Sequence, residues 1–319
     1  MKESIATFGN GFLLACAAGA VLAVPVLRML TALKSKQTVS EFAPETHQVK
    51  QGTPTMGGIL CVLALVLSLL VVGEGPTPSW VGLWVLGFAL VGFADDFVVP
   101  RLMPGKRGLG WKQKFGAQAL LALLALPVLG WEWSAANAGL AVLVVLFFCN
   151  AYNFSDGLDG LSGSLGVVLA LGLGAIAALA GALGWVALCG ALAGCLVPFL
   201  FLNAPPAKVF MGDVGSLPIG AAFGIAVCGL LLPHGTFEWE GWAVPGVALL
   251  SFVMIAELVP VPLQVLSVKL TGRRMFLMTP IHHAFERRGW PETRVVFAFV
   301  LVQLIVAVTG VAISARLCP

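Results

Sequence analysis

Apolar residues run through this chain in long uninterrupted blocks, and the polar residues are gathered between them. Charge-free runs cover residues 4–27, 51–73, 75–94, 115–131, 133–155, 160–207, 214–237, 241–256 and 295–315. About 20 apolar residues in a helix cross the ~30 Å hydrocarbon core of a bilayer, so most of these runs predict one span each. Run 160–207 is long enough for two helices, with Gly181–Gly184 as the turn between them. Run 241–256 continues past Glu257 to Val268 as one long helix interrupted at Pro260 and Pro262. Run 115–131 is short, with Lys112 and Lys114 placed to snorkel at its edge. The pattern predicts an all-α, polytopic integral membrane protein with about ten transmembrane helices. A strand barrel would need alternating segments of roughly ten residues, which are absent.

Composition agrees. Hydrophobic residues make up 59% of the 319, charged residues 10%, and mean hydropathy is +0.98. A soluble core of this size cannot hide that much apolar surface. Residues 1–319 are therefore expected to form a single transmembrane domain. Its connections at 31–53, 95–114, 150–163, 203–213 and 269–294 share one face. Of the 18 Lys and Arg, only Lys2 and Arg316 fall on the other face, which leaves sixteen on this one. That bias makes the loop-rich face cytoplasmic and places both termini outside the cytoplasm. The first run is too long for a cleaved signal peptide, and no polar mature segment follows it. The seven cysteines form no C-x-x-C pair and mostly lie within apolar runs, so they read as small hydrophobes.

The chemistry is concentrated. All five aspartates lie in three stretches: Phe93–Phe97, Asn150–Gly163 and Phe210–Ser216. Acids placed for solubility would be scattered; these point to one site for a hard cation or a phosphate. Asn150–Gly163 (N-A-Y-N-F-S-D-G-L-D-G-L-S-G) brings together Asn150, Asn153, Asp156 and Asp159, and its Asp-Gly pairs favour a tight turn. Asp95 and Asp96 repel each other at a helix end and suit metal binding or proton abstraction. Asp213 precedes an apolar helix and is either its N-cap or a ligand flanked by Gly212 and Gly215. Thr55, in T-P-T at a helix entry, offers a hydroxyl to an anion. Lys114 stands beside a Gly-rich basic turn where phosphate could be met. His282 and His283, followed by Glu286, Arg287 and Arg288, fit phosphate contact or acid-base work, because no Cys or third His stands at zinc-ligand spacing. Glu257 either pairs locally or lines a groove.

Six segments together resemble the polyprenyl-phosphate N-acetylhexosamine-1-phosphate transferases, and within them the phospho-N-acetylmuramoyl-pentapeptide transferase branch. They are T-P-T-M-G-G (Thr53–Gly58), the Asp95-Asp96 pair, K-Q-K-F (Lys112–Phe115), N-A-Y-N-F-S-D-G-L-D-G-L (Asn150–Leu161), N-A-P-P-A-K-V-F-M-G-D (Asn203–Asp213) and P-I-H-H-A-F-E-R-R-G-W-P-E (Pro280–Glu292). The chain departs from the family pattern at Ala284, where a third His is usual, and at Val214, where Thr is usual. A third histidine is therefore not indispensable here.

The resemblance implies transfer of phospho-MurNAc-pentapeptide from UDP-MurNAc-pentapeptide to undecaprenyl phosphate, giving lipid I and UMP, with Mg²⁺ (or Mn²⁺) as cofactor. It implies a bacterial cytoplasmic membrane setting with the active site on the cytoplasmic face. The bilayer and the two substrates are the expected partners, nucleic acid is not, and a homodimer stays open. The catalytic set is Asp95, Asp96, Asp213 and His282. By resemblance Asp213 is the metal ligand of choice, with Asp95, Asp96 and Asp156 as further candidates. Asp95 would be the base that deprotonates the lipid phosphate, supported by Asp96. Asn153 and Asp156 would bind uridine diphosphate, and Lys50, Lys114 and His282 the phosphates. Thr55, Asn150, Asp159, Asn203, Lys208, Phe210 and His283 complete the expected substrate contacts. Two alternatives stand beside this: a transferase using UDP-GlcNAc, and a transporter or flippase. Transporter acids sit near the bilayer midplane, whereas all five Asp here are expected at one face.

Overall fold

A computed structural model describes residues 1–33, 52–72, 76–103, 105–233 and 240–319; Lys50 lies outside them. Every regular element of the described residues is helical. Helix α1 (Lys2–Ala32) is followed by α2 (Gly58–Val72) and α3 (Pro76–Phe93). A five-residue π-helical turn, Ala94–Val98, then leads into the short α4 (Val99–Leu102). Next come α5 (Trp111–Leu123), α6 (Ala125–Leu129), α7 (Ala135–Ser155), α8 (Leu161–Leu179), α9 (Leu183–Asn203) and α10 (Asp213–Leu231). The last third holds α11 (Val244–Leu250), α12 (Phe252–Leu258), α13 (Pro260–Thr271), α14 (Ile281–Glu286) and α15 (Glu292–Leu317).

Eight helical stretches among the described residues are long and apolar enough to cross a membrane. The apolar α2 has 15 residues, and run 115–131 is divided between α5 and α6. Run 160–207 divides as expected, between α8 and α9 around Gly181. The helix expected from 241 to 268 is broken twice. The break before Pro260 follows from two prolines without amide hydrogens, which leave carbonyls of the preceding turn without helical partners. The break at Ser251 has no proline; the Leu250 carbonyl there accepts a hydrogen bond from Gln303 Nε2 of α15 at 2.9 Å. The functional connections are shorter than their charge pattern indicates, because Asn150–Ser155 continues α7 and Leu161–Gly163 already belongs to α8.

The core is organised around α10. Its apolar window is 94% buried inside the protein, against 17% for the peripheral α15. Helices α2, α3 and α7 pack directly against α10, and α1 packs against α2 and α9. Small residues allow the close approaches: the backbones of Gly58 on α2 and Gly215 on α10 touch, so neither position has room for a side chain. Helix packing inside a bilayer relies on such contacts, since lipid tails are as apolar as the side chains they face.

Candidate active site

The start of α10 is where the three aspartate stretches meet. The Gly92 backbone on α3 lies directly against the Asp213 carbonyl and the Val214 amide, in space a methyl group would fill. That approach carries the π-helical turn after α3, with Asp95 and Asp96, to the first turn of α10. A π-helical turn rotates the following side chains relative to a regular helix and is common at functional sites. Among the described residues, Asp95, Asp96 and Asp213 form a group whose carboxylate oxygens lie within 4.8 Å of one another.

Each carboxylate is held differently. Asp95 Oδ1 accepts a hydrogen bond from the Leu109 amide at 2.7 Å, which folds the Gly-rich basic loop back over the site. Asp96 Oδ2 accepts from the Val214 amide at 3.0 Å and thereby caps α10 from a neighbouring helix. Asp213 is the first residue of α10 and its carboxylate caps nothing. Instead it pairs with Lys114 Nζ and accepts from Asn153 Nδ2 at 2.8 Å. The same Asn153 Nδ2 reaches Ser216 Oγ at 2.8 Å. Lys114 Nζ also stands 3.6 Å from Asp95 Oδ2. The side chains of Lys114, Asp95 and Asp213 retain 17–18% exposure, so the group is sheltered without being sealed.

Three carboxyl groups gather around one ammonium, and every acidic donor in the group is oxygen. That donor set fits a hard divalent cation such as Mg²⁺. A zinc-type site would call for nitrogen or sulfur ligands, which the group lacks.

Asp156 caps the C-terminus of α7 outside this trio. Its Oδ1 accepts from Ser162 Oγ at 2.7 Å. Burial raises its carboxyl from 3.8 to about 7; the Ser162 bond opposes the rise, and the nearby Asp213 charge adds to it. Thr55 borders the same space, since a side chain on Gly212 would meet its Oγ1 at 3.1 Å and Asp96 Oδ2 at 2.6 Å. The T-P-T-M-G-G stretch is fastened there by the backbone. The Phe210 amide donates to the Pro54 carbonyl at 2.9 Å, and the Gly57 and Gly58 amides donate to Phe210 and Met211 at 2.7 and 2.9 Å.

Other expected contacts are not members of the trio. Asn203 is buried, with Oδ1 accepting from the Gly160 amide at 2.8 Å and Nδ2 donating to the Val209 carbonyl at 2.9 Å. Asp159 is also buried: its Oδ2 accepts from the Ala207 amide at 2.9 Å and its own amide donates to Glu292 at 2.6 Å. Both side chains tie the Asp-Gly turn to the 203–209 connection. Asn150 donates to Gln118 Oε1 at 2.8 Å in a buried link between α7 and α5. Lys208 is exposed and Phe210 half-buried. His282 is fully buried against Glu257, and the partly exposed His283 pairs with Glu286 at 2.7 Å.

Sequence reading did not single out Gly92, Ser162, Ser216, Gln118 or Glu292. Their residue types are common, and only the packing of distant helices gives them a role. Glu257 alone had a signal, as an acid inside an apolar run.

Comparison with known proteins assigns the chain to a family. Residues 79–230 match the family model described as Glycosyl transferase family 4. Residues 50–61 match phospho-N-acetylmuramoyl-pentapeptide-transferase signature 1. A relative from Moorella thermoacetica, named phospho-N-acetylmuramoyl-pentapeptide-transferase, is 39% identical over 91% of this chain and 93% of its own length. Proteins of the same name from Heliobacterium modesticaldum and Acinetobacter baylyi are 38% and 34% identical, over 95% and 92% of this chain and 96% and 89% of their own lengths. Identity at this level along nearly the whole chain shows that the protein belongs to the phospho-N-acetylmuramoyl-pentapeptide-transferase family.

Proposed function

We propose that the chain transfers phospho-MurNAc-pentapeptide from UDP-MurNAc-pentapeptide to undecaprenyl phosphate, forming lipid I and releasing UMP at the cytoplasmic face of a bacterial membrane. The observation that carries this reading is the meeting of Asp95, Asp96 and Asp213 around Lys114 at one end of the helix bundle. The acceptor is a lipid phosphate and the donor a nucleotide sugar, so the reaction needs a sheltered polar site reachable from both membrane and water.

In the reaction an oxygen of the lipid phosphate bonds to the donor's β-phosphorus, and the bond from that phosphorus to the bridging oxygen breaks, so UMP leaves. Asp95 is the base. Its Oδ1 accepts from the Leu109 amide, and its Oδ2, 3.6 Å from Lys114 Nζ, takes the proton from the lipid phosphate. Asp96 keeps the first turn of α10 in register through Val214 and so fixes Asp213 relative to Asp95. Lys114 sits between Asp95 and Asp213 and offers its charge to the donor's diphosphate. Asn153 orients Asp213 and, with Asp156, forms the donor-facing side. Mg²⁺, held by Asp213 with Asp96, would neutralise charge on the transferring phosphoryl group. A lipid phosphate aligned in this way is already a competent nucleophile, so a covalent relay through an aspartate gains little.

The test uses purified protein in lipid nanodiscs with Mg²⁺, polyprenyl phosphate and either UDP-MurNAc-pentapeptide or UDP-GlcNAc. UMP release should require the muramoyl donor and the lipid acceptor together. Turnover with UDP-GlcNAc alone would move the protein to the sister activity. Stoichiometric UMP release without lipid, with sugar phosphate retained on the protein, would replace direct transfer by a two-step route.

A further inference from the structure

Glu257 lies in the last turn of α12, the only acid on that otherwise apolar helix. Its side chain is fully buried, as is that of His282 on α14, and Oε2 stands 2.7 Å from His282 Nδ1. With Glu257 as a carboxylate, which can only accept, the proton of this bond lies on Nδ1 and Nε2 turns the other way. Nε2 then faces Gly157: a methyl group there would meet His282 Cε1 at 2.9 Å and Nε2 closer still. Gly157 directly follows Asp156, on which the Gly212 amide and the Asp213 charge both act. The same α12 touches the end of α7, where Ser155 Oγ lies 3.8 Å from Met254 Sδ.

The pair is not closed on itself. Among the described residues, His282 Nε2 and Glu257 Oε1 are both buried without a hydrogen-bond partner. Orphaned buried polar atoms are rare, and an ion pair that served stability alone would be better replaced by apolar residues of the same volume. Here the unpaired nitrogen is pressed against the backbone of the turn that carries Asp156.

We propose that Glu257 is a positioning residue for the transfer reaction: through His282 it seats the Asp156–Gly157 turn beside Asp213, and so sets the affinity for the nucleotide donor. This rests on the donor-facing role given above to Asn153 and Asp156. Glu257 touches neither substrate; it fixes which imidazole nitrogen bears the proton and where the ring points.

The experiment combines kinetics with nitrogen spectroscopy on the full chain in nanodiscs. With four histidines in the protein, ¹⁵N-histidine labelling resolves tautomers residue by residue. The wild type should show Nδ1-protonated rings at His282 and His283, each facing a carboxylate, and Glu257→Ala should lose only that of His282. Glu257→Ala should raise KM for the UDP donor about tenfold while KM for polyprenyl phosphate stays within about twofold. Glu257→Gln, which keeps an acceptor oxygen for Nδ1–H, should recover most of the donor affinity. Unchanged donor KM in folded Glu257→Ala, equal shifts in both KM values, or an unaltered tautomer would each overturn the proposal. If Glu257→Ala does not fold, Gly157→Ala must produce the same donor-selective rise by intruding on Nε2, and an unchanged donor KM there is equally fatal. The spectra need no turnover, so a failed transferase assay and a failed dyad are told apart.

Discussion

Replacing Gly92 by alanine tests whether the site is set by the distance between two helices. A Cβ at this position would fall on backbone atoms, the Asp213 carbonyl and the Val214 amide, well inside the 3.0 Å that real Cβ atoms respect. Backbone cannot rotate away, so α3 and the start of α10 must separate by about 1 Å to restore ordinary contact at 3.4 Å. The Asp96–Val214 bond, now 3.0 Å, would open to about 4 Å and cease to be a hydrogen bond. Overpacking of this kind costs ~1–3 kcal/mol of stability. The effect on rate is larger than that figure conveys, because a displacement of about 1 Å between catalytic groups costs ~10²-fold. Gly82→Ala on the same helix is the matched control: its new methyl would meet Leu69 Cβ at 3.6 Å, an ordinary contact. It should gain ~0.5–1 kcal/mol from helix propensity and keep full activity. UMP release and thermal unfolding would be measured on both variants in the same nanodisc preparation. Turnover of Gly92→Ala within about threefold of Gly82→Ala would refute the claim that this contact sets the geometry.

Further expectations concern the metal, the proton and the topology. Asp213→Asn should remain folded yet lose several factors of ten in turnover, each worth ~1.4 kcal/mol of barrier, and chelation should silence the wild type until Mg²⁺ is returned; wild-type rates in the variant would remove Asp213 from the ligand set. Because the Asp156 carboxyl sits at about 7 instead of 3.8, the folded state holds that proton more tightly than the unfolded chain does. Its contribution to stability is complete below 3.8 and is lost as pH rises through about 7. Asp156→Asn should therefore flatten that part of the melting-temperature profile, and an identical slope in the variant would contradict the assignment. A reporter fused after Pro319 should be active only outside the cytoplasm, as the Lys and Arg asymmetry requires; cytoplasmic activity would invert the topology.

The sequence alone determined the environment and the inventory of the site. Charge-free runs near the length of a bilayer crossing leave helices as the available structure, because lipid offers no partner for an unpaired amide. Five aspartates confined to three stretches announced one polar site, and T-P-T-M-G-G and N-A-P-P-A-K-V-F-M-G-D marked loops that meet in space. What each residue does there depended on contacts between helices far apart in the chain. Asp213 was equally legible as a helix cap, and only the packing of α3 on α10 assigned the cap to Asp96, 118 residues away. Asn203 and Asp159 carry the same functional groups as Asn153 and Asp156, yet they bond to loop amides and are buried, while the latter two border the carboxylate group. Hydrogen-bonding capacity is a property of the side chain and can be read from its name. The partner is chosen by which backbone or side chain the tertiary fold brings within about 3 Å, and that distance has no local signature.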